Sequence, residues 1–179
     1  MKETSLDILR QKAAKIKWFF CDIDGTLTDG GVYYSPEGEL LKRFSLRDGT
    51  GFFLLRQCGI KTGFITTENS PIVEQRAKKL NIDKYIFGTH RKVEAMQEFL
   101  SVEGLTMENV AYIGDELNDI KLLRSCGLSF AVGDADIHAK EVADVVCEHS
   151  GGQGAFRESV DILLNLSNIS IDIIVKDVL

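Results

Sequence analysis

Residues 17–26 read KWFFCDIDGT, a continuous apolar run that ends in two aspartates, a glycine and a threonine. Such a run is typical of a strand that is covered on both faces, as in the centre of a parallel sheet. In open α/β sheets, ligands bind beyond the carboxyl ends of the strands, which is where Asp22 and Asp24 fall. The stretch therefore predicts a central strand and a site at its end.

Strand patterns alternate with helical patterns along the rest of the chain, which indicates βα units and a mainly parallel sheet. Further strands are predicted at 62–66, 85–87, 110–113, 128–132 and 145–147, and helices at 49–57, 71–80, 91–103, 117–126 and 154–166. We expect an α/β fold, a Rossmann-like three-layer sandwich with helices on both faces, formed as one domain over residues 1–179.

Three segments lie outside this alternation. Residues 31–44, GVYYSPEGELLKRF, read as a β-hairpin around a Pro-Glu-Gly turn. Residues 1–17 place apolar side chains at helical spacing and predict a short amphipathic helix rather than a signal peptide. The apolar residues from Ser167 onward are expected to dock on this subunit or on a neighbour.

The composition limits the possible partners. The 179 residues carry a net charge of −6 and offer no basic stripe, which argues against nucleic acid. No run approaches the ~20 apolar residues of a membrane span. The four cysteines are scattered and indicate free thiols in a reducing, cytoplasmic setting. An anionic substrate would need positive charge concentrated in its pocket.

Polar residues at several strand ends point to one site. Asp22 and Asp24 lie two residues apart and repel unless a cation relieves them, and Mg2+ is the commonest such ion with phosphate substrates. The glycine that follows allows close approach to a phosphate. This motif alone fits a plain turn equally well. Thr66, Lys92 and Asp115, which follow other predicted strands, favour the site.

In chain order, DIDGT at 22–26, Thr66, Lys92 and GDELND at 114–119 resemble the four motifs of the haloacid dehalogenase superfamily, over residues 17 to about 148. The resemblance implies that Asp22 is a nucleophile forming an aspartyl-phosphate. Asp24 would protonate the leaving alcohol and then deprotonate the attacking water.

The resemblance also implies a cofactor, Mg2+, held by Asp22, Asp115 and the carbonyl oxygen of Asp24. Asp119 and Glu116 would orient these ligands. Glu116 stands where many relatives have a second Asp, so we expect adjusted contacts around the metal and retained binding. Phosphate oxygens would be held by a further set of residues: Thr66, Lys92, Gly25 and Thr26.

A cap domain usually selects the substrate in this superfamily, and this chain has no room for one. Asp22 to Thr66 spans 44 positions and Thr66 to Lys92 spans 26, all taken by predicted elements. An open site would let water compete, so a cover is expected. We predict that the hairpin or the C-terminal tail of neighbouring subunits supplies it in a homotetramer.

Residues 29–31 (DGG), 47–49 (RDG) and 151–158 (GGQGAFRE), with the missing cap, resemble one branch of the superfamily. Its members are phosphatases of 3-deoxy-D-manno-octulosonate 8-phosphate and of related nonulosonate or acylneuraminate 9-phosphates. The branch is tetrameric and implies a small phosphorylated sugar acid as substrate and a role in lipopolysaccharide biosynthesis.

Candidate substrate contacts are Glu68, Arg76, Lys79, Arg47 and Arg157. Arg47 reads equally well as a residue that braces a loop, and the simpler interpretation of Arg157 is pairing with a carboxylate. Glu68 stands where octulosonate phosphatases commonly have Arg, and Lys79, three helical turns on, could pair with it. This favours a nine-carbon substrate slightly, and both substrates stay open.

Two other functions fit parts of the pattern. A phosphorylation-switch receiver domain also phosphorylates an Asp at a strand end, but it places paired acids early and the phosphorylated Asp on a later strand. The second is a catalytically weak assembly or binding module, like the domain fused to some acylneuraminate cytidylyltransferases. The intact motifs and the lack of an attached transferase argue against that module.

Overall fold

The computed structural model describes residues 2–172 and residue 174. Its strands are β1 (Trp18–Cys21), β2 (Thr28–Ser35), β3 (Gly38–Phe44), β4 (Lys61–Ile65), β5 (Lys84–Ile86), β6 (Val110–Gly114), β7 (Leu128–Ala131) and β8 (Val145–Val146). Its α-helices are α1 (Lys2–Ala13), α2 (Leu46–Gln57), α3 (Pro71–Leu80), α4 (Lys92–Glu103), α5 (Ile120–Ser125), α6 (Ile137–Val142) and α7 (Ala155–Leu166).

Six strands form one parallel sheet in the order β5-β4-β1-β6-β7-β8, so the predicted fold class is confirmed. Every predicted strand of this sheet is correct to within one residue at each end. The deviations lie in the helices. α2 begins three residues earlier than predicted, where Ser45 caps it by accepting a hydrogen bond from the amide of Asp48. The predicted helix 117–126 begins as a 3-10 turn, and α6 was not predicted.

The core lies on both faces of the sheet, because successive side chains of a strand point in opposite directions. Phe19 packs against Phe156 of α7 with ring centroids 5.2 Å apart. Its neighbour Phe20 packs against Phe99 of α4, at 5.7 Å. Both strand residues are fully buried. β1 is therefore a central strand between two helical layers, as its apolar run predicts.

β2 and β3 form a separate antiparallel hairpin, which begins three residues earlier than predicted. Tyr33 pairs with Leu41 and Tyr34 pairs with Glu39, so Leu40 is an extra residue in β3. This irregularity is a β-bulge, and it reverses the face of the ribbon on which the side chains beyond it lie. Only the hairpin and α2 separate β1 from β4, and only α3 and β5 separate β4 from α4.

The two chain ends pack on the sheet layers as far as they are described. In α1 and its continuation, Leu9, Ala13 and Ile16 contact the core, whereas Leu6 is 42% exposed. Ile169, Ile171 and the buried Ile174 pack on the same core, and the rest of the predicted docking segment lies outside the described residues. No helix in the described part of the chain is long and apolar enough to cross a membrane.

Candidate active site

The parallel register brings the predicted site residues to one edge of the sheet. β1 lies between β4 and β6, and Cys21 is level with Phe64 and Ile113. Asp22, Thr66 and Asp115, which follow these three strands, therefore emerge side by side. Asp22 and Thr66 are buried, and all three line one cavity of about 430 Å3. The convergence follows directly from the ends of neighbouring parallel strands meeting at one edge.

Lys92, the first residue of α4, lies under this edge and is buried. Its ammonium donates to Asp22 Oδ1 at 2.5 Å, to Asp119 Oδ1 at 2.6 Å and to the Tyr112 hydroxyl at 3.2 Å. Burial by itself lowers the pKa of Lys92, but Asp22 and Asp119 outweigh it and raise that pKa. Lys92 is thus a firmly held cation beside Asp22, and its three protons are used by the protein.

Asp119 organises the cluster. Its Oδ1 also accepts a 2.6 Å hydrogen bond from Tyr112, and its Oδ2 accepts from the amides of Asp115 and Glu116 at 3.0 and 3.1 Å. The side chain is fully buried. Glu116 is exposed and caps the next turn by accepting from the amide of Leu117. Asp119 therefore fixes the backbone that carries Asp115, whereas Glu116 caps its own turn and lines the cavity.

The carboxylates fit a hard divalent cation. One oxygen from each of Asp22, Asp115 and Asp119 lies within 4.8 Å of the others. Burial raises the pKa of Asp115 to about 7 and raises that of Asp22 well above its ordinary value, with Asp119 adding repulsion at Asp22. Lys92 alone does not balance three carboxylates. Since the oxygens of Asp119 are already engaged, Asp22 and Asp115 have the capacity left for a metal.

Thr26 takes a different place from the predicted one. Its hydroxyl donates to Asp115 Oδ1 at 2.8 Å, its amide donates to the carbonyl of Ile23, and it is fully buried. Both donors are therefore used by the protein. The prediction that Thr26 binds phosphate is corrected: its hydroxyl orients Asp115. Gly25 does line the cavity, as predicted, with its φ at +86°.

The hairpin covers the cavity of its own chain. Its residues Val32, Tyr34, Glu39 and Lys42 line the same space as Asp22. The register pairs Val32 with Lys42 and Tyr34 with Glu39, so these four share one face of the ribbon. The hairpin of the same chain thus lines the cavity, and the expectation that a neighbouring subunit covers it stays a prediction. The hairpin continues directly from the loop after β1 and folds back over it.

Two hairpin residues in the cavity have no counterpart among the residues predicted from the sequence. Lys42 forms an ion pair with Asp24 Oδ1 and another, at 2.8 Å, with Glu39 Oε1. Its side chain is only 2% exposed. The second oxygen of Glu39 accepts a hydrogen bond from Ser70, the residue that precedes α3. A buried charge on a surface ribbon gives no sequence signal, because an exposed lysine would fit the same pattern.

Among the candidate substrate residues, Glu68 is exposed and lines the cavity. Lys79 lies in the last turn of α3, and no ion pair joins it to Glu68 in the described part of the chain. The predicted pairing is not formed within the subunit: Glu68 precedes α3, and the eight helical steps from Pro71 to Lys79 alone span ~12 Å. Arg76 donates to the carbonyl of Ser45 and stacks over Phe44 instead of lining the cavity.

Arg47 and Arg157 lie at a second, separate cavity of about 280 Å3. Arg157 forms an ion pair with Asp161 at 2.8 Å, and its amide donates to the buried Asp48. Burial raises the pKa of Asp48 although several hydrogen bonds oppose this. Within one subunit, neither arginine lines the cavity that contains Asp22, and their role as substrate contacts stays a prediction. Asp48 ties the start of α2 to the start of α7.

Comparison with known proteins agrees with this geometry. The family model of the haloacid dehalogenase-like hydrolases matches residues 60–157, more than half of the chain. The 3-deoxy-D-manno-octulosonate 8-phosphate phosphatase KdsC of Haemophilus influenzae is 39% identical over 156 residues, which are 87% of each chain.

Two solved structures have closely similar folds. The cobalt-bound octulosonate 8-phosphate phosphatase of Haemophilus influenzae superimposes with a TM-score of 0.84 at 39% identity, covering 88% of this chain and 92% of that one. The corresponding enzyme of Moraxella catarrhalis was solved in complex with a magnesium ion, a phosphate ion and KDO. It superimposes with a TM-score of 0.89 at 36% identity, covering 94% of this chain and 97% of that one.

Proposed function

Because the chain belongs to the haloacid dehalogenase-like hydrolase family and is a phosphoric monoester hydrolase, we propose that it dephosphorylates 3-deoxy-D-manno-octulosonate 8-phosphate. The observation that carries this proposal is the arrangement of Asp22, Asp24, Thr66 and Asp115 around one cavity, with Lys92 bonded to Asp22. The relatives named for this substrate, which match most of the chain, support the choice of sugar acid.

The proposed reaction begins with attack of the Asp22 carboxylate on phosphorus. The bond from phosphorus to the sugar oxygen breaks, Asp24 gives its proton to that oxygen, and an aspartyl-phosphate remains on Asp22. Water then attacks this phosphate, Asp24 takes the proton, and Asp22 is released with free phosphate. Thr66 lines the cavity and has a hydroxyl that can donate to a phosphoryl oxygen.

We propose Mg2+ as the cofactor, held by Asp22, Asp115 and the carbonyl oxygen of Asp24. When bound, the ion neutralises charge on the phosphate and on the carboxylates around it. The donor set supports this, because three carboxylates converge there beside one lysine. Lys92 holds the nucleophile in place, and Asp119 holds both Lys92 and the backbone of Asp115.

A nonulosonate 9-phosphate is the second candidate substrate. It is favoured by Glu68, which lines the cavity and can accept hydrogen bonds from sugar hydroxyls. Lys79 adds no support within one subunit, because it lies at the far end of α3. The relatives named for the eight-carbon substrate favour the octulosonate.

We propose that the chain is a single cytoplasmic domain that works as a homotetramer. Three of its four free cysteines are buried, which suits a reducing compartment. On the hairpin, Tyr33, Leu40 and Leu41 are more than half exposed. Such a group of large apolar side chains is typical of a contact between subunits.

The experiment compares wild type and Asp22→Asn on the octulosonate 8-phosphate and on a nonulosonate 9-phosphate, with Mg2+ present. We expect wild type to prefer the eight-carbon ester, and the variant to lose roughly 10^3-fold or more in kcat because the attacking charge is gone. Asp134→Asn, outside the site, is the control. Turnover by Asp22→Asn close to that of wild type would refute the nucleophile. A clear preference for the nine-carbon ester would refute the substrate.

A further inference from the structure

The hairpin holds one cation against the acid–base carboxylate of the site. Lys42 lies on β3, its side chain is 2% exposed, and it contacts Asp24 Oδ1. A lysine is rarely buried to this extent unless its charge is paired. Here two carboxylates pair with it, Asp24 and Glu39. Burial by itself lowers the pKa of Lys42, but these carboxylates raise it overall, so the ammonium stays charged.

The two oxygens of Asp24 have different surroundings. Oδ1 is bonded to Lys42, whereas Oδ2 is buried and has no hydrogen-bond partner among the described residues. Asp24 also lines the cavity. Among the described residues, the contact with Lys42 is therefore the hydrogen bond that sets the orientation of this carboxylate.

Lys42 is itself held from behind. Glu39 Oε1 accepts from Lys42 at 2.8 Å, and Glu39 Oε2 accepts from the Ser70 hydroxyl. Burial raises the pKa of Glu39, but hydrogen bonds from Lys42 and Ser70 outweigh it and lower that pKa. Ser70 is buried at the start of α3, on the rigid sandwich. The chain of contacts therefore anchors the hairpin to the domain through the same side chains that hold Asp24.

We infer that Lys42 is a positioning residue, which holds the carboxylate of Asp24 in the orientation in which it exchanges a proton with the leaving oxygen, and that Glu39 and Ser70 hold Lys42 in turn. The inference rests on the proposed function, because Lys42 can position Asp24 for proton transfer only if Asp24 is the acid–base residue. It gives the hairpin a part in the chemistry of its own subunit, besides covering the cavity.

The test uses two phosphate esters that differ in the leaving group. The sugar phosphate releases an alkoxide and needs a proton from Asp24, whereas p-nitrophenyl phosphate releases a stable phenolate and does not. For Lys42→Met we expect kcat/KM, which reports attack and departure of the leaving group but not the later hydrolysis of the aspartyl-phosphate, to fall by roughly 10- to 100-fold on the sugar phosphate and by less than about 3-fold on p-nitrophenyl phosphate. Asp24→Asn should show the same contrast more strongly.

A double variant and a matched control complete the design. Lys42→Met combined with Asp24→Asn should be no slower than Asp24→Asn alone, because the two residues act as one unit. Arg43→Met removes the next cation along β3, which contacts Asp29 outside the cavity, and should leave both rates unchanged. If Lys42→Met fails to fold, as judged by thermal unfolding, Glu39→Gln provides the test and should give the same contrast in a smaller degree.

The outcomes are distinct. Equal losses on both esters for Lys42→Met, or additive losses in the double variant, would overturn the positioning role of Lys42. If Asp24→Asn itself shows no dependence on the leaving group, the acid–base role in the proposed function fails first. If the loss depends on the leaving group in Asp24→Asn but not in Lys42→Met or Glu39→Gln, the positioning role of Lys42 is refuted and the proposed function stands.

Discussion

Two lysines divide the negative charge of the site between them. Lys92, under the sheet edge, holds Asp22 and Asp119, and Lys42, on the hairpin, holds Asp24 and a neighbouring glutamate. Each cation faces more than one carboxylate, which leaves net negative charge on the edge. The proposed divalent cation would relieve this charge and permit an anionic ester to approach.

Gly25 is a residue whose size the side chain of Asp115 directly restricts. Its φ is +86°, and a β-carbon built on it would lie 2.0 Å from Asp115 Oδ2. We therefore expect Gly25→Ala to displace Asp115 and to weaken Mg2+ binding by roughly tenfold or more, measured as the Mg2+ dependence of activity.

A matched glycine separates displacement from backbone strain. Gly59 also has a positive φ, +71°, but a β-carbon added there would meet no described atom within 4 Å. Gly59→Ala should cost about 1 kcal/mol of stability and leave the Mg2+ dependence as in wild type. If both variants reach half-maximal activity at the same Mg2+ concentration as wild type, the lack of space beside Asp115 is not the reason for a glycine at position 25.

Among the elements, the hairpin determines most of what distinguishes this site. The bulge at Leu40 places Glu39 and Lys42 on one face although they are three residues apart. That face lines the cavity. The opposite face carries Tyr33 and Leu41, which pair directly and are 60% and 57% exposed. A two-stranded ribbon is only marginally stable alone, so a second surface is expected against this outer face.

We predict that the outer face of the hairpin forms the contact between subunits. Replacing Tyr33 and Leu41 together by Ser should reduce the mass of the assembly measured by light scattering. A large apolar side chain contributes about 1.5–3 kcal/mol when fully buried. Val102→Ser, at an 83% exposed position of α4, is the control and should keep the wild-type mass. An active monomeric wild type at assay concentration would contradict the homotetramer.

At the scale of the whole molecule, the parallel sheet brings together residues that lie far apart in the sequence. Asp22 and Asp115 are 93 positions apart, yet they follow adjacent strands in register. Lys92 is bonded to Asp22 and not to Asp115, and burial raises the pKa of Asp115 to about 7. The metal-free fold therefore binds a proton that the unfolded chain releases at lower pH.

This linkage predicts how pH changes the effect of Mg2+. Because the folded pKa of Asp115 lies above the unfolded value, the metal-free protein loses stability as pH rises from about 4 to about 7. Mg2+ binds the deprotonated carboxylates, so the rise in Tm that it causes should be larger at about pH 8 than at about pH 5.

The rise in Tm caused by Mg2+ should differ between the two pH values by roughly 2–4 °C for each kcal/mol of stability that depends on the Asp115 proton. Scanning calorimetry measures this difference. In Asp115→Asn the Mg2+ effect should be small at both pH values. A rise in Tm with Mg2+ that is the same at both pH values in wild type would show that Asp115 does not couple protons to the metal.

The sequence by itself determined the sheet and the rim of the site. The run before Asp22, and the polar residues after the later strands, predicted the elements and their order, including Thr66, Lys92 and Asp115 on one edge. These features depend on local pattern and on one general property of parallel sheets, that their carboxyl ends align. The ends of the six strands of the parallel sheet were therefore predicted to within one residue.

The tertiary structure alone decided which side chains meet across the site. Thr26 bonds to Asp115, Lys79 lies at the far end of its helix, and Lys42 reaches Asp24 from the hairpin. Each outcome depends on contacts between distant segments or on the bulge at residue 40, which reverses the facing that simple alternation predicts. A sequence pattern predicts which face of an element is apolar, but it does not predict which residue pairs with a buried charge.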